Sequence, residues 1–200
     1  DRAIRRSRGV VPVPVFLRRP LQPVLACGAE LKNTVCLTAG NRAFLSQHIG
    51  DLENPATYDF FCMTIAHMKR ILDITPQVLA CDLHPDYLST RYALEQQQAG
   101  MDLVQVQHHH AHIVSCMAEN RIQGKLIGLA FAGTGYGTDG AIWGGEFLIA
   151  DETGFDRAGH LAYIPLPGGA AAIREPWRMA ASCLHTVFGQ SMRDLDLPLM

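Results

Sequence analysis

The chain has 200 residues, 48% of them hydrophobic and 18% charged, enough for one ordinary domain or two small lobes around a real core. Its 17 Lys and Arg nearly balance 19 Asp and Glu, for a formal net charge of -2, which argues against a nucleic-acid surface. No run is apolar for the roughly 18 residues a membrane helix needs, and no signal peptide opens the chain, so neither a nucleic-acid nor a membrane partner is expected.

The start, "DRAIRRSRG", is a local positive cluster that reads as a solvated linker. A first residue Asp1 instead of Met marks the chain as an expected fragment. "VVPVPVFLRRPLQP" carries four prolines, and proline removes backbone donors, so residues 1–22 are read as an extended connector. Three short apolar runs follow, Val24–Cys27, Thr34–Leu37 and Ala43–Ser46, separated by "GAELKN" and "AGN"; they predict three strands joined by tight turns.

From Asn54 the period changes. "NPATYDFFCMTIAHMKRILD" offers a capping Asn54, Pro55 at the first helical position, and Phe61, Ile65, Met68 and Leu72 at helical spacing. Then come "QVLACDL" (strand), "YLSTRYALEQQQ" (helix), "DLVQVQ" (strand), "HHAHIVSCMAEN" (helix) and "KLIGLAFAG" (strand). Such alternation builds a mainly parallel sheet covered by helices. The order predicts an α/β, actin-like ATPase (ASKHA-type) fold, with a first lobe over 23–124 and an incomplete second lobe over 125–200. In the latter, "GTGYGTDGAIWGGEFLIAD" is glycine-rich and then a strand, "GHLAYIPLPGG" strand and loop, and "EPWRMAASCLHTVFG" a helix. The six cysteines are scattered, mostly in apolar runs, without a C-x-x-C pair; buried free thiols in a reducing cytoplasm are expected, and Cys116, a further turn along the helix face of His108 and His112, could ligate a cation but is read first as a buried structural thiol.

Three constellations could carry chemistry. In "VQHHHAHIVSCMAE", His108 and His112 are four apart and share one helical face, where two imidazoles can meet one cation; a polar helix start is the plainer alternative. His109 and His110 point elsewhere and read as supporting or surface residues. The preceding strand delivers this helix to a strand's C-terminal edge, where open α/β sheets bind ligands. In "AGTGYGTDG", the backbone at Gly133, Thr134 and Gly135 could cradle a phosphate, or the glycines could simply form a hairpin; Asp139 could serve a metal or cap the turn. In "CGAELKN", Gly28, Lys32 and Asn33 offer a close backbone, a cation and an amide, or else an exposed turn. His48, in "SQHIGD", lies near a strand end without an assignable partner.

Taken together, "LACGAELKNTVCLT", "NRAFLSQHIGDLEN", "CDLHPDYLSTRYA", "VQHHHAH" and "GTGYGTDGAIWGGEF" resemble the hydrogenase maturation carbamoyltransferase (HypF) family over about Ser7 to Phe147. The resemblance implies an ATP-dependent enzyme whose preceding domain makes carbamoyl-adenylate. This region would pass the carbamoyl group to the C-terminal cysteine of a HypE-like partner, toward the cyanide ligands of [NiFe]-hydrogenase. It implies His108 and His112 as ligands of a divalent metal, Zn or Fe, and the glycine loops as adenylate contacts. Gly28, Asn33, Gly133, Thr134 and Gly135 are the nucleotide candidates, and Lys32 and His48 the catalytic ones. The family pattern also has an Asp, a metal ligand, where this chain has Ala132. Either the site is weakened, another residue substitutes, or the position has been altered, and the chain alone is expected to hold metal weakly and be inactive. Two alternatives stand beside this reading: a nucleotide-binding interaction module without chemistry, and an O- or threonyl-carbamoyltransferase relative.

Overall fold

The computed structural model describes residues 14–98 and 100–195. The arginine-rich start and most of the predicted linker lie outside them. The chain divides into two compact units, one ending at Gly159 and one beginning at His160.

The first unit holds two sheets. Strands β1 (Val15–Leu21), β2 (Val24–Ala26), β3 (Cys36–Leu45), β4 (Val78–Asp82) and β5 (Asp102–Val106) form the larger, in the order β1-β3-β2-β4-β5. β3 runs antiparallel to β1 and β2, while β2, β4 and β5 are parallel. The crossovers are helices, α1 (Pro55–Leu72) from β3 to β4 and α2 (Leu88–Gln98) from β4 to β5. After β5 come α3 (His108–Asn120), then β6 (Leu126–Tyr136), β7 (Ile142–Ala150) and β8 (Phe155–His160), which make a three-stranded sheet. This is the α/β alternation that the sequence predicts.

Local chemistry explains the helix limits. Asn54 Oδ1 accepts the Ala56 N–H at 2.9 Å, Pro55 supplies a ready-made φ, and Asp73 ends α1 in the left-handed region at φ 52°. Phe61 and Ile65 enter the core and Met68 and Leu72 flank it, as their spacing predicts. That core joins Leu25, Leu37, Leu52, Phe61 and Leu79, with Tyr92 meeting Phe61 edge to face at 5.2 Å between ring centroids.

Three expectations are corrected. The proline-rich connector contains β1: Pro20 sits in an edge strand, at an irregular stretch of pairing between Phe16 and Leu21, where a missing N–H costs no ladder bond. The two predicted strands either side of "AGN" are one, β3, because Gly40 takes φ 58° opposite Leu21 while pairing continues. Cys116 is an exposed thiol, not a buried one, although all six cysteines are free.

A smaller core lies between α3 and the second sheet, made by Ile113, Met117, Ala130, Trp143, Leu148 and Ala150. Gly128 leaves room for Ile113, whose side chain occupies the place a Cβ would take. The alternate residues of β6 face the other way: Ile127, Leu129 and Phe131 are 69%, 57% and 61% exposed.

The second unit carries a short helix α4 (Ala171–Arg174), α5 (Pro176–Phe188) and a 3-10 turn over Gly189–Asp194. α5 starts at a proline and stops at Gly189, as its sequence predicts, and buries none of its residues. Among the described residues no helix is long and apolar enough to cross a membrane.

Burial pushes the thiols of Cys27 and Cys36 up to about 12, with Cys81 adding to the effect at Cys27. Mass mapping after brief iodoacetamide treatment at neutral pH should therefore find Cys116 labelled first, with Cys27 and Cys36 protected until the protein unfolds. Early modification of Cys27 would contradict this core.

Candidate functional site

Parallel pairing sends β2, β4 and β5 out of the sheet at one edge. Each leads directly into a stretch singled out by sequence: Cys27 into "GAELKN", Asp82 into "LHPDY", Val106 into "QHHHAH". This C-terminal edge is where open α/β sheets place ligands.

The histidine helix begins here. Gln107 caps it, Oε1 accepting the His110 N–H at 2.9 Å. With that oxygen committed, the Gln107 amide nitrogen donates to His109 Nδ1 at 3.1 Å and to the Tyr136 carbonyl at 3.2 Å, tying α3 to β6. His108 and His112 share one face. Their Nε2 atoms approach to 3.2 Å with the rings 82° apart. Two nitrogens on one tetrahedral Zn at about 2.0–2.1 Å would stand about 3.4 Å apart, so the pair has the span of two ligands to one ion. Among the described residues, however, no group of three or more His, Cys, Asp or Glu side chains is placed to hold a metal. The imidazoles fit as half of a coordination sphere.

Behind them lies a residue the sequence reading missed. Asp82, at the end of β4, meets His108 Nδ1 with Oδ2 at 2.8 Å, and its Oδ1 accepts the His84 N–H at 2.9 Å. Its side chain is only 6% exposed, against 18% for His108. The signal was present in "CDLHPD", but its meaning depends on register: Asp82 pairs with Val106, two residues before His108. The His84 ring stacks on Tyr87 at 4.1 Å and meets Tyr136 edge-on at 5.3 Å, an aromatic wall beside the carboxylate. Burial, together with the Asp82 and Glu30 carboxylates, pushes the Tyr87 phenol up to about 12.

His109 and His110 are both buried, so neither is a surface residue. His110 Nε2 bonds the Asp151 carbonyl at 2.8 Å and its ring meets Phe155. His109 is fully buried, with Nε2 unpartnered; burial, reinforced by neighbouring His108, lowers its pKa.

The glycine run is strand rather than loop. Gly133, Thr134 and Gly135 belong to β6, but Ala132–Thr134 oppose the single residue Gly144 between the pairs Phe131–Gly145 and Gly135–Trp143. Such a bulge changes which residues face inward. Before it Gly128 and Ala130 face α3; after it Gly135 does. A Cβ on Gly135 would stand 2.6 Å from His109 Cε1 and 3.0 Å from His108 Cβ, so this glycine lets β6 press against the histidines. Asp139 caps the turn, accepting from Ala141 N and Trp143 Nε1 at 3.0 and 2.9 Å; the Ala141 bond chiefly, then that of Trp143, holds its carboxyl below the usual range.

The other predicted loops knit together. Asn33 and Gly50 form an antiparallel bridge, the Lys32 N–H donates to Asp51 Oδ1 at 2.7 Å, and the Leu52 N–H to the Glu30 carbonyl at 3.0 Å. Asn33 is buried, its amide donating to the carbonyls of Cys27 and Ala29. A Cβ on Gly28, at φ 69°, would collide with the Thr34 carbonyl. Both residues thus shape the loop, while Lys32 and His48 project from it, exposed. Glu30, also buried, accepts the Leu88 N–H at 2.8 Å, fastening this loop to the start of α2 beside Tyr87. Burial raises its carboxyl pKa, opposed by that bond.

Comparison with known proteins agrees with this architecture. The model "HypF Kae1-like domain" matches residues 19–119, and "Carbamoyltransferase, Kae1-like Domain, second subdomain" matches residues 128–197. The chain belongs to the HypF carbamoyltransferase family. Carbamoyltransferase HypF2 of Cupriavidus necator is 52% identical over 185 residues, 92% of this chain and 23% of that protein. Carbamoyltransferase HypF of Rhizobium leguminosarum bv. viciae is 49% identical over 182 residues, 91% of this chain and 24% of that protein. Full-length HypF solved in a phosphate- and nucleotide-bound form superposes with a TM-score of 0.85 at 41% identity, over 94% of this chain and 30% of that one. HypF of T. kodakarensis gives 0.84 at 40%, over 92% and 24%. The chain therefore spans about a quarter of the length of these two curated relatives.

Gly135→Ala tests the contact between β6 and α3. Forcing a methyl into the histidines should destabilise the first unit by roughly 1–3 kcal/mol in urea unfolding. An unchanged midpoint would show that the strand can retreat.

Proposed function

We propose that this chain is the acceptor-side transfer region of a HypF carbamoyltransferase, actin-like in fold, with the lobe boundary near residue 124. It passes the carbamoyl group of carbamoyl-adenylate to the C-terminal cysteine of a HypE-like partner in the cytoplasm. The observation that carries the reading is the meeting of His108 and His112 Nε2 at 3.2 Å, backed by Asp82, at the edge where three parallel strands end. Membership of the HypF family and the nucleotide-bound form of a related HypF support the substrate class.

In the reaction, the partner's sulfur attacks the carbamoyl carbon, the bond from that carbon to the phosphate oxygen breaks, and AMP departs. His108 and His112 would hold a divalent cation, Zn or Fe, with carboxylates from elsewhere in the longer protein; both metals suit such a donor set. Bound there, the cation supplies Lewis acidity for a carbamoyl or phosphate oxygen. The backbone of Gly133, Thr134 and Gly135 holds the adenylate, and the loop shaped by Gly28 and Asn33 presents Lys32 to the charge that develops on the departing phosphate. His48, in the loop bridged to it, takes the thiol proton. The nucleophile belongs to the partner, so none of the six cysteines is required.

Ala132 gives a direct test, because it stands in the bulge opposite Gly144, three residues before the Gly135 that packs on the histidines, and cannot bind a cation. In the full-length protein, Ala132→Asp should raise Zn or Fe content by elemental analysis and increase carbamoylation of a cysteine-ended partner tail, measured by mass spectrometry. His108→Ala and His112→Ala should each lower both. If all four proteins carry equal metal and transfer equally, the assignment of this site is wrong.

A further inference from the structure

Asp82 is placed to do more than hold a helix in position. Its two oxygens have different partners on different segments. Oδ1 is fixed by the His84 backbone N–H, which can only donate, at 2.9 Å. Oδ2 faces His108 Nδ1 at 2.8 Å, with the carboxylate 6% exposed. A carboxylate can only accept, so this contact puts a proton on Nδ1 of His108. In the neutral form of the ring the free lone pair is then on Nε2, the atom that lies 3.2 Å from His112 Nε2. The His84 ring is itself wedged between Tyr87 and Tyr136, and its Nδ1 accepts the Asp86 N–H at 3.2 Å, so the loop that grips Oδ1 is held on several sides.

We propose that Asp82 is a positioning residue that fixes His108 in the Nδ1-protonated tautomer, so that its Nε2 lone pair faces His112 before any ion arrives. The step from tautomer to ion rests on the cation reading above, whereas the tautomer itself does not. Aspartate to asparagine is the informative exchange. With the His84 N–H still claiming the oxygen, the new amide NH2 would face His108 Nδ1, a donor against a donor. The ring resolves this by moving its proton to Nε2, which removes the lone pair from the shared site.

The experiment has two arms, both on the intact chain. In the first, 15N–1H long-range correlation spectra of the metal-free protein report the tautomer of His108. The wild type should show Nδ1–H, and Asp82→Asn should show Nε2–H with the backbone spectrum otherwise preserved. A wild-type Nε2–H tautomer overturns the proposal even if the variant does not fold, and so does a folded variant that keeps Nδ1–H. In the second arm, Zn²⁺ affinity is measured by chelator competition, where Asp82→Asn should bind about 10- to 100-fold more weakly. Equal affinities would overturn the positioning role. A wild type without measurable Zn²⁺ binding would defeat the cation reading instead, leaving the tautomer arm to decide the role of Asp82.

Discussion

Parallel pairing of β4 with β5 is the constraint on which the site depends. It ends both strands at the same edge, with Asp82 level with Val106, and so delivers a carboxylate from one strand to the first turn of the helix that follows the other. Antiparallel pairing would have sent the two ends to opposite edges. β2 joins the same parallel set and brings the Glu30–Asn33 loop to that edge as well. The helices α1 and α2 enable this, since parallel neighbours need long crossovers, and their apolar faces build the core that holds the strands in register.

The second sheet closes on the site from the other side. Gln107 donates both to His109 and to the Tyr136 carbonyl, and Gly135 lets β6 come within contact of the histidines. The bulge over Ala132–Thr134 makes this approach possible, because it turns Gly135 inward after a stretch in which the even-numbered residues faced α3. Buried hydrogen-bonded groups of this kind fix one arrangement among several apolar packings that would otherwise be similar in energy. Among the described residues, Nε2 of His109 is buried without a hydrogen bond.

What could be read from the sequence follows from how local each signal is. The cap at Asn54, the proline before α5 and the glycine after it are decided within a few residues, and the helices sit where those signals put them. The His108–His112 pair was also legible, since helical spacing alone brings the rings together. Strands depend on partners that sequence does not name. β1 is hidden by its prolines, which are tolerated because it lies at the edge, and the "GTGYG" run leaves phosphate loop and hairpin open because its ladder with β7, which makes the hairpin, cannot be seen in sequence. Asp82 was missed for the same reason. Its importance arises from a neighbour 26 residues away in sequence, which only the β4–β5 register brings within a hydrogen bond. Cys116 is exposed because the face it shares with His108 and His112 is not the one that α3 packs against β6, and sequence does not show which face is covered.

The uncovered side of β6 has a practical meaning. Ile127, Leu129 and Phe131 form an oily row along a strand, with the Phe147 ring edge-on to Phe131 at 5.7 Å. Contiguous surface of that kind drives unrelated molecules together as concentration rises. Preparations limited to these residues should stay dilute or be shielded by mild detergent, and clumping in them would reflect this ridge rather than failure of the chain to fold.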